Sequence, residues 1–149
     1  MKTENIFLIS ILILVIAGFA YAILSSGIFA SRNQATTPVP NSLGLNPILT
    51  GTTEQGDVSI ELSPKAFVDG NLIVGLSANT HSIDLSKFDL KQITTLEYNG
   101  KAIKPTNAPA MSGHHVNGEI AFYVGEAISK FSITINSIPN VENRVFDWK

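Results

Sequence analysis

The spacing of apolar residues changes twice along the chain. Residues 6–30 form one unbroken apolar run, from Ile6-Phe7-Leu8-Ile9 through Ile23-Leu24 to Ile28-Phe29-Ala30, without a charged side chain. A helix needs roughly 20 such residues to cross a hydrocarbon core of about 30 Å, and it closes its backbone hydrogen bonds within itself. Residues 1–30 are therefore expected to be an N-terminal membrane anchor, a single transmembrane helix. The competing reading is a signal peptide cut near Ala20, Ala22 or Ala30, although signal cores usually run about 7–15 residues. Lys2 precedes the run, Glu4 partly offsets it and Arg32 follows, so the positive-inside rule leans only slightly toward an N-terminus inside. Either reading puts the remaining chain outside the cytoplasm, and the anchor makes the membrane its first partner.

Residues 31–56 sustain no period. Thr36-Thr37-Pro38-Val39-Pro40-Asn41-Ser42 and Asn46-Pro47 punctuate them with fixed φ angles and extended predecessors. A Pro/Thr/Asn-rich linker is expected there. Leu43, Leu45, Ile48 and Leu49 are apolar enough for part of this linker to dock on the C-terminal domain.

From Asp57 to Lys149 the period becomes two, the signature of half-buried strands. Val58-Ser59-Ile60-Glu61-Leu62 alternates cleanly, and Asn71 to Ala78 is a second strand, apolar on both faces in its middle. Ile93 to Tyr98 and Lys101-Ala102-Ile103 flank Asn99-Gly100, the strongest short hairpin signal, because a type I′ turn needs positive φ at both central positions. Glu119 to Val124, Lys130 to Asn136 and Asn143 to Lys149 complete the set, and Ser86 to Lys91 reads as a helical turn with Ser86 as its cap. About seven short strands without a long helical pattern predict an all-β fold, an antiparallel sandwich of immunoglobulin or fibronectin-III type over residues 57–149.

Composition narrows the function classes. Ten basic and twelve acidic residues give a formal charge of −2, which argues against nucleic-acid binding. The absence of cysteine excludes disulfide scaffolds, thiolate metal sites, blue-copper centres and cysteine nucleophiles.

The candidate chemistry lies in the three histidines. His81 sits in Asn79-Thr80-His81-Ser82-Ile83-Asp84-Leu85, and His114 and His115 in Met111-Ser112-Gly113-His114-His115-Val116-Asn117-Gly118. Both segments lie where a strand meets a connection, and alternating strand directions allow them to share one end of the sandwich. Three neutral imidazoles suit zinc with an open position, or copper(II). Asp84 would be a fourth ligand or would orient a ring N–H, and Met111 would add a soft thioether that favours copper. An adjacent histidine pair points to opposite faces in a regular strand, so both rings reach one ion only if Gly113 or a bulge breaks the alternation. The competing reading is architectural: these residues form turns and pin two loops together.

Other constellations are weaker. His81, Ser82 and Asp84 hold the residue types of a triad within four positions, too close for members that must converge in space. Gly113-x4-Gly118 lacks the lysine and helix of a phosphate loop. Glu119 and Glu126 read as solvated positions, Trp148 as a core plug. Arg144 reads as a partner for Asp84 or Asp89, in a rim ion pair of small value.

The histidine segments, taken with Glu142-Asn143-Arg144-Val145-Phe146-Asp147-Trp148, resemble an uncharacterised family of small secreted or membrane-anchored β domains of bacteria and archaea. The resemblance covers about residues 57–149, implies an exported β-sandwich and brings no activity with it. The leading expectation is a membrane-anchored extracytoplasmic domain that binds copper or zinc through His81, His114 and His115, with Asp84 and Met111 nearby. The alternative is a non-catalytic envelope module, without metal, that binds a protein or glycan partner. A metal-dependent hydrolase is a distant third, and no catalytic residue is assigned.

Overall fold

A computed structural model describes residues 43–149, and the expected anchor and the first part of the linker lie outside the described residues. Among the described residues no helix is long and apolar enough to cross a membrane.

Alternation builds two antiparallel four-stranded sheets. The first has the order β1(Ile48–Thr50), β2(Ser59–Val68), β3(Asn71–Asn79), β6(His115–Tyr123). The second has the order β5(Lys101–Ile103), β4(Thr94–Tyr98), β7(Phe131–Asn136), β8(Asn143–Trp148). Ile60, Leu62, Leu72, Val74, Leu76, Ile120 and Phe122 of the first sheet and Leu96, Ile133, Ile135 and Phe146 of the second belong to one buried cluster, the sandwich-like core. Their polar neighbours in sequence face outward because successive strand side chains take opposite faces.

Two tight hairpins set the register. Asn99 and Gly100 have φ of 48° and 74°, the left-handed pair expected between β4 and β5. Asp69 and Gly70, at 49° and 76°, do the same between β2 and β3. Register shifts between Pro64 and Ala66, where Lys65 is the extra residue of a β-bulge. Beyond it Phe67 turns toward the core and pairs with Leu72.

Several boundaries differ from the expected ones. The stretch read as linker contributes β1, which pairs Ile48 with Leu62 and Thr50 with Ile60. Asn46 O accepts a 2.8 Å hydrogen bond from Trp148 Nε1, so the segment ahead of β1 also packs as part of the domain. Trp148 is buried, as a core plug should be, and its ring lies 5.1 Å from that of Phe131. The expected helical turn is split into a 3-10 turn, Leu85–Lys87, and a single α turn, α1(Leu90–Ile93). Asp84 and Asp89 cap them, in place of Ser86, because each carboxylate accepts the backbone N–H two residues on.

The expected Arg144 rim pair is corrected outright. Arg144 is 1% exposed and its Nη2 donates to Asp57 Oδ1 at 2.8 Å, not to Asp84 or Asp89. Nη2 also donates to Pro139 O at 3.1 Å and Nη1 to Thr50 Oγ1 at 3.4 Å. Gly51 makes room: a Cβ there would collide with Arg144 Nη1 and Val58 O, and its φ is +73°. Asp57 in turn accepts from Thr52 N, Thr52 Oγ1 and Val58 N. Burial works to raise its carboxyl pKa, but the hydrogen bonds from Val58, Arg144 and Thr52 together outweigh it and hold the pKa at about 2.

The long β5–β6 connection closes one open side of the sandwich. Pro109 fills the place of the missing side chain at Gly118, whose Cβ would stand 2.6 Å from Pro109 Cβ. Thr106 and Asn107 pair with Ala121 along the outer edge of β6.

Candidate functional site

The two histidine segments meet at one end of the first sheet. Thr80 N donates to His114 O at 3.0 Å, a backbone bond that ties the end of β3 to the start of β6. Thr80 is fully buried; its hydroxyl donates to Asp57 O at 2.7 Å and accepts from Ser82 N and Ile83 N. This side-chain turn projects His81 into solvent.

His115 was expected in a loop but opens β6, directly opposite Asn79 of β3. The strand starts earlier than its apolar pattern suggests because Gly118 occupies an inward position that Pro109 fills. The pairing has a chemical consequence. Asn79 Nδ2 donates to Ser77 Oγ at 3.2 Å, which turns Asn79 Oδ1 toward His115 Nδ1, 2.9 Å away. With the carboxamide oxygen as acceptor, Nδ1 is the donor of this bond. An orienting acceptor behind one ring nitrogen is the usual support of a metal-binding imidazole.

The His81 and His115 rings stand edge to face, 6.4 Å between centroids and 80° between planes. Two imidazoles on one ion, at N–metal distances of about 2.0–2.1 Å, place their centroids roughly 5–6.5 Å apart depending on the angle at the metal. The observed separation lies at the wide end of that range. Both side chains are exposed, so small χ rotations close it to a tetrahedral bite.

The other expected ligands are placed differently. His114 precedes His115 and is exposed, and the Asp84 pKa is lowered. That lowering comes first from the Ser86 hydroxyl and then from the Ser86 backbone N–H, the two bonds of the Asp84 cap, against a small opposing effect of burial. Met111 is buried in the core cluster, its side chain used for packing. Among the described residues no group of three His, Asp or Glu side chains converges to hold an ion. Ser82 Oγ accepts from Gly56 N at 2.7 Å, a loop contact. Asn79 is the residue that sequence reasoning missed; only the β3–β6 register reveals it.

A second feature lies on the outer face of the other sheet. Ala102, Glu97, Ser132 and Asp147 form one row across four strands. With Lys101, Lys130 and Lys149 at the hairpin end they line a shallow groove of about 640 Å³. Compared with known protein families, characterised proteins and solved structures, the chain matches none.

Proposed function

We propose that the chain is a membrane-anchored extracytoplasmic domain that takes up copper or zinc at its histidine end. The observation that carries this reading is the His81–His115 pair, with ring centroids 6.4 Å apart and His115 Nδ1 hydrogen-bonded to Asn79 Oδ1. Two imidazoles leave open positions for water, His114 or a donor from a partner. That coordination suits capture and hand-over better than a permanent structural ion, which takes four closed protein ligands. The anchor rests on the apolar run of residues 6–30, and the spacer on the prolines after it. The finer fold assignment rests on strand order. With β1 set aside, β2-β3-β6 face β5-β4-β7-β8, the three-on-four arrangement of a fibronectin-III or immunoglobulin-type sandwich.

Titration of the full chain in detergent with Zn(II) and Cu(II) tests the site. One-to-one binding is expected, lost in His81→Ala and in His115→Ala and weakened about 10-fold or more in Asn79→Ala, as expected for an orienting partner. Binding that survives both histidine variants would return the rings to loop architecture. A second reading, an envelope interaction module without metal, is favoured by the groove on the second sheet.

A further inference from the structure

The outer edge of β6 is open for pairing along its first half. Thr80 N donates to His114 O and Val124 N to Gly70 O, so the backbone groups of the even-numbered residues along this line face β3. Those of the odd-numbered residues face away from it, because antiparallel bonding alternates along a strand. Ala121 fills its outward positions: its O accepts from Thr106 N and its N donates to Asn107 O. The outward N–H and C=O groups of His115, Asn117 and Glu119 have no hydrogen-bond partner among the described residues. The register here is unbroken, and the stretch holds no proline, lysine or bulge, the usual guards of a strand edge. The other sheet margins are short or covered: β1 and β5 have three residues each, and Trp148 of β8 donates to Asn46 O.

We propose that this edge pairs with the same edge of a second copy, antiparallel about a two-fold axis at Asn117. Thr106 and Asn107 occupy the edge beyond Glu119, so only a strand that turns away at that point fits. β6 is itself such a strand, because Gly113 just ahead of it has φ of +66° and bends the chain aside. The register that opposes Asn117 to itself sets His115 against Glu119 of the second copy at both ends. It uses every open group, in about six hydrogen bonds. A slide of two residues leaves one open residue unused on each strand. A slide of four opposes Glu119 to Glu119 or His115 to His115, like against like. The side chains of His115, Asn117 and Glu119 share the exposed outer face, so hydrogen-bond count and charge complementarity select the same register. Lys65 Nζ, 3.0 Å from Glu119 Oε1, holds that carboxylate on this face. The pairing would join the two four-stranded sheets edge to edge, and it does not depend on the metal reading. So narrow a contact belongs with transient interfaces, with a Kd of about 1–100 μM.

Sedimentation equilibrium of the full chain in detergent, with EDTA present, tests this. A reversible monomer–dimer equilibrium is expected. Asn117→Pro should weaken it at least about 10-fold, because it deletes the central N–H from both copies, while that N–H points away from β3 and the fold keeps its own pairing. The chain has no cysteine, so Asn117→Cys introduces a single thiol where the two Cα atoms stand about 5.5 Å apart, within disulfide reach. Oxidation is expected to cross-link that variant as a dimer and to leave Glu61→Cys, two strands away in the same row, uncross-linked. Trp148 emission reports that each variant is folded; should Asn117→Pro unfold, the two cysteine variants decide. A chain that stays monomeric at several hundred micromolar, well above that Kd, would overturn the proposal. So would a dimer no weaker in folded Asn117→Pro, the absence of the Asn117→Cys cross-link, or equal cross-linking of both cysteine variants.

Discussion

Replacing Asp57 by Asn removes a charge from beneath Arg144 while keeping the side chain's shape. The cost follows from the carboxyl pKa, lowered from 3.8 to about 2 in the fold. A depressed pKa stabilises the folded state above the unfolded value and loses that contribution as pH falls through the folded one. Each unit is worth about 1.36 kcal/mol, so the shift represents roughly 2 kcal/mol before screening. The Asp57 side chain keeps 11% of its surface, and solvent at the loop reduces the figure to roughly 1–2 kcal/mol. Asp57→Asn should therefore lower stability by that amount at pH 7. The gap should close between about pH 4 and pH 2, where the wild-type carboxyl becomes protonated and resembles the amide. Asp57→Ala should cost more, about 3–5 kcal/mol, because it strands a guanidinium whose Nε already has no partner among the described residues. Urea unfolding followed by Trp148 fluorescence measures both, since the chain has a single tryptophan and it lies in the core. An Asp57→Asn penalty that is the same at pH 2.5 and pH 7 would refute the linkage, and a penalty of under about 1 kcal/mol for Asp57→Ala would refute the buried pair.

Three further substitutions probe the packing by the same unfolding assay. Gly51→Ala adds a Cβ against Arg144 Nη1 and Val58 O at positive φ, and should cost well over 1 kcal/mol, or about 4–8 °C or more in Tm. Gly118→Ala meets Pro109 without backbone strain and should cost about 1–3 kcal/mol by overpacking; replacing Pro109 by Gly in the same chain should recover part of that loss. Thr94→Val should be neutral or stabilising, because the Thr94 hydroxyl is buried with no hydrogen-bond partner among the described residues; a loss above about 1 kcal/mol would show that the hydroxyl is bonded.

The strands were legible wherever alternation and turn chemistry are local. Asn99-Gly100 announced its hairpin, and Asp69-Gly70 carries the same signal. What escaped was non-local. Ile48-Leu49-Thr50 is too short to show a period, and its pairing with β2 depends on a neighbour ten or more residues away. Arg144 could be given an acidic partner by type but not by position, because Asp57 is 87 residues distant in sequence. At the histidine end the shared location of the two segments was foreseeable from strand direction. The Asn79–His115 hydrogen bond was not, since it depends on the register between β3 and β6.

The contacts ahead of β2 have a mechanical consequence. Tension arriving along the chain from residue 42 meets the Asn46–Trp148 bond first, then the three-residue β1 and the Thr50–Arg144 contact, before it reaches β2. Edge pairing of this length peels one hydrogen bond at a time. The segment would yield at low force and release several residues, with the two main sheets still closed. A domain built this way carries its own strain relief ahead of its core.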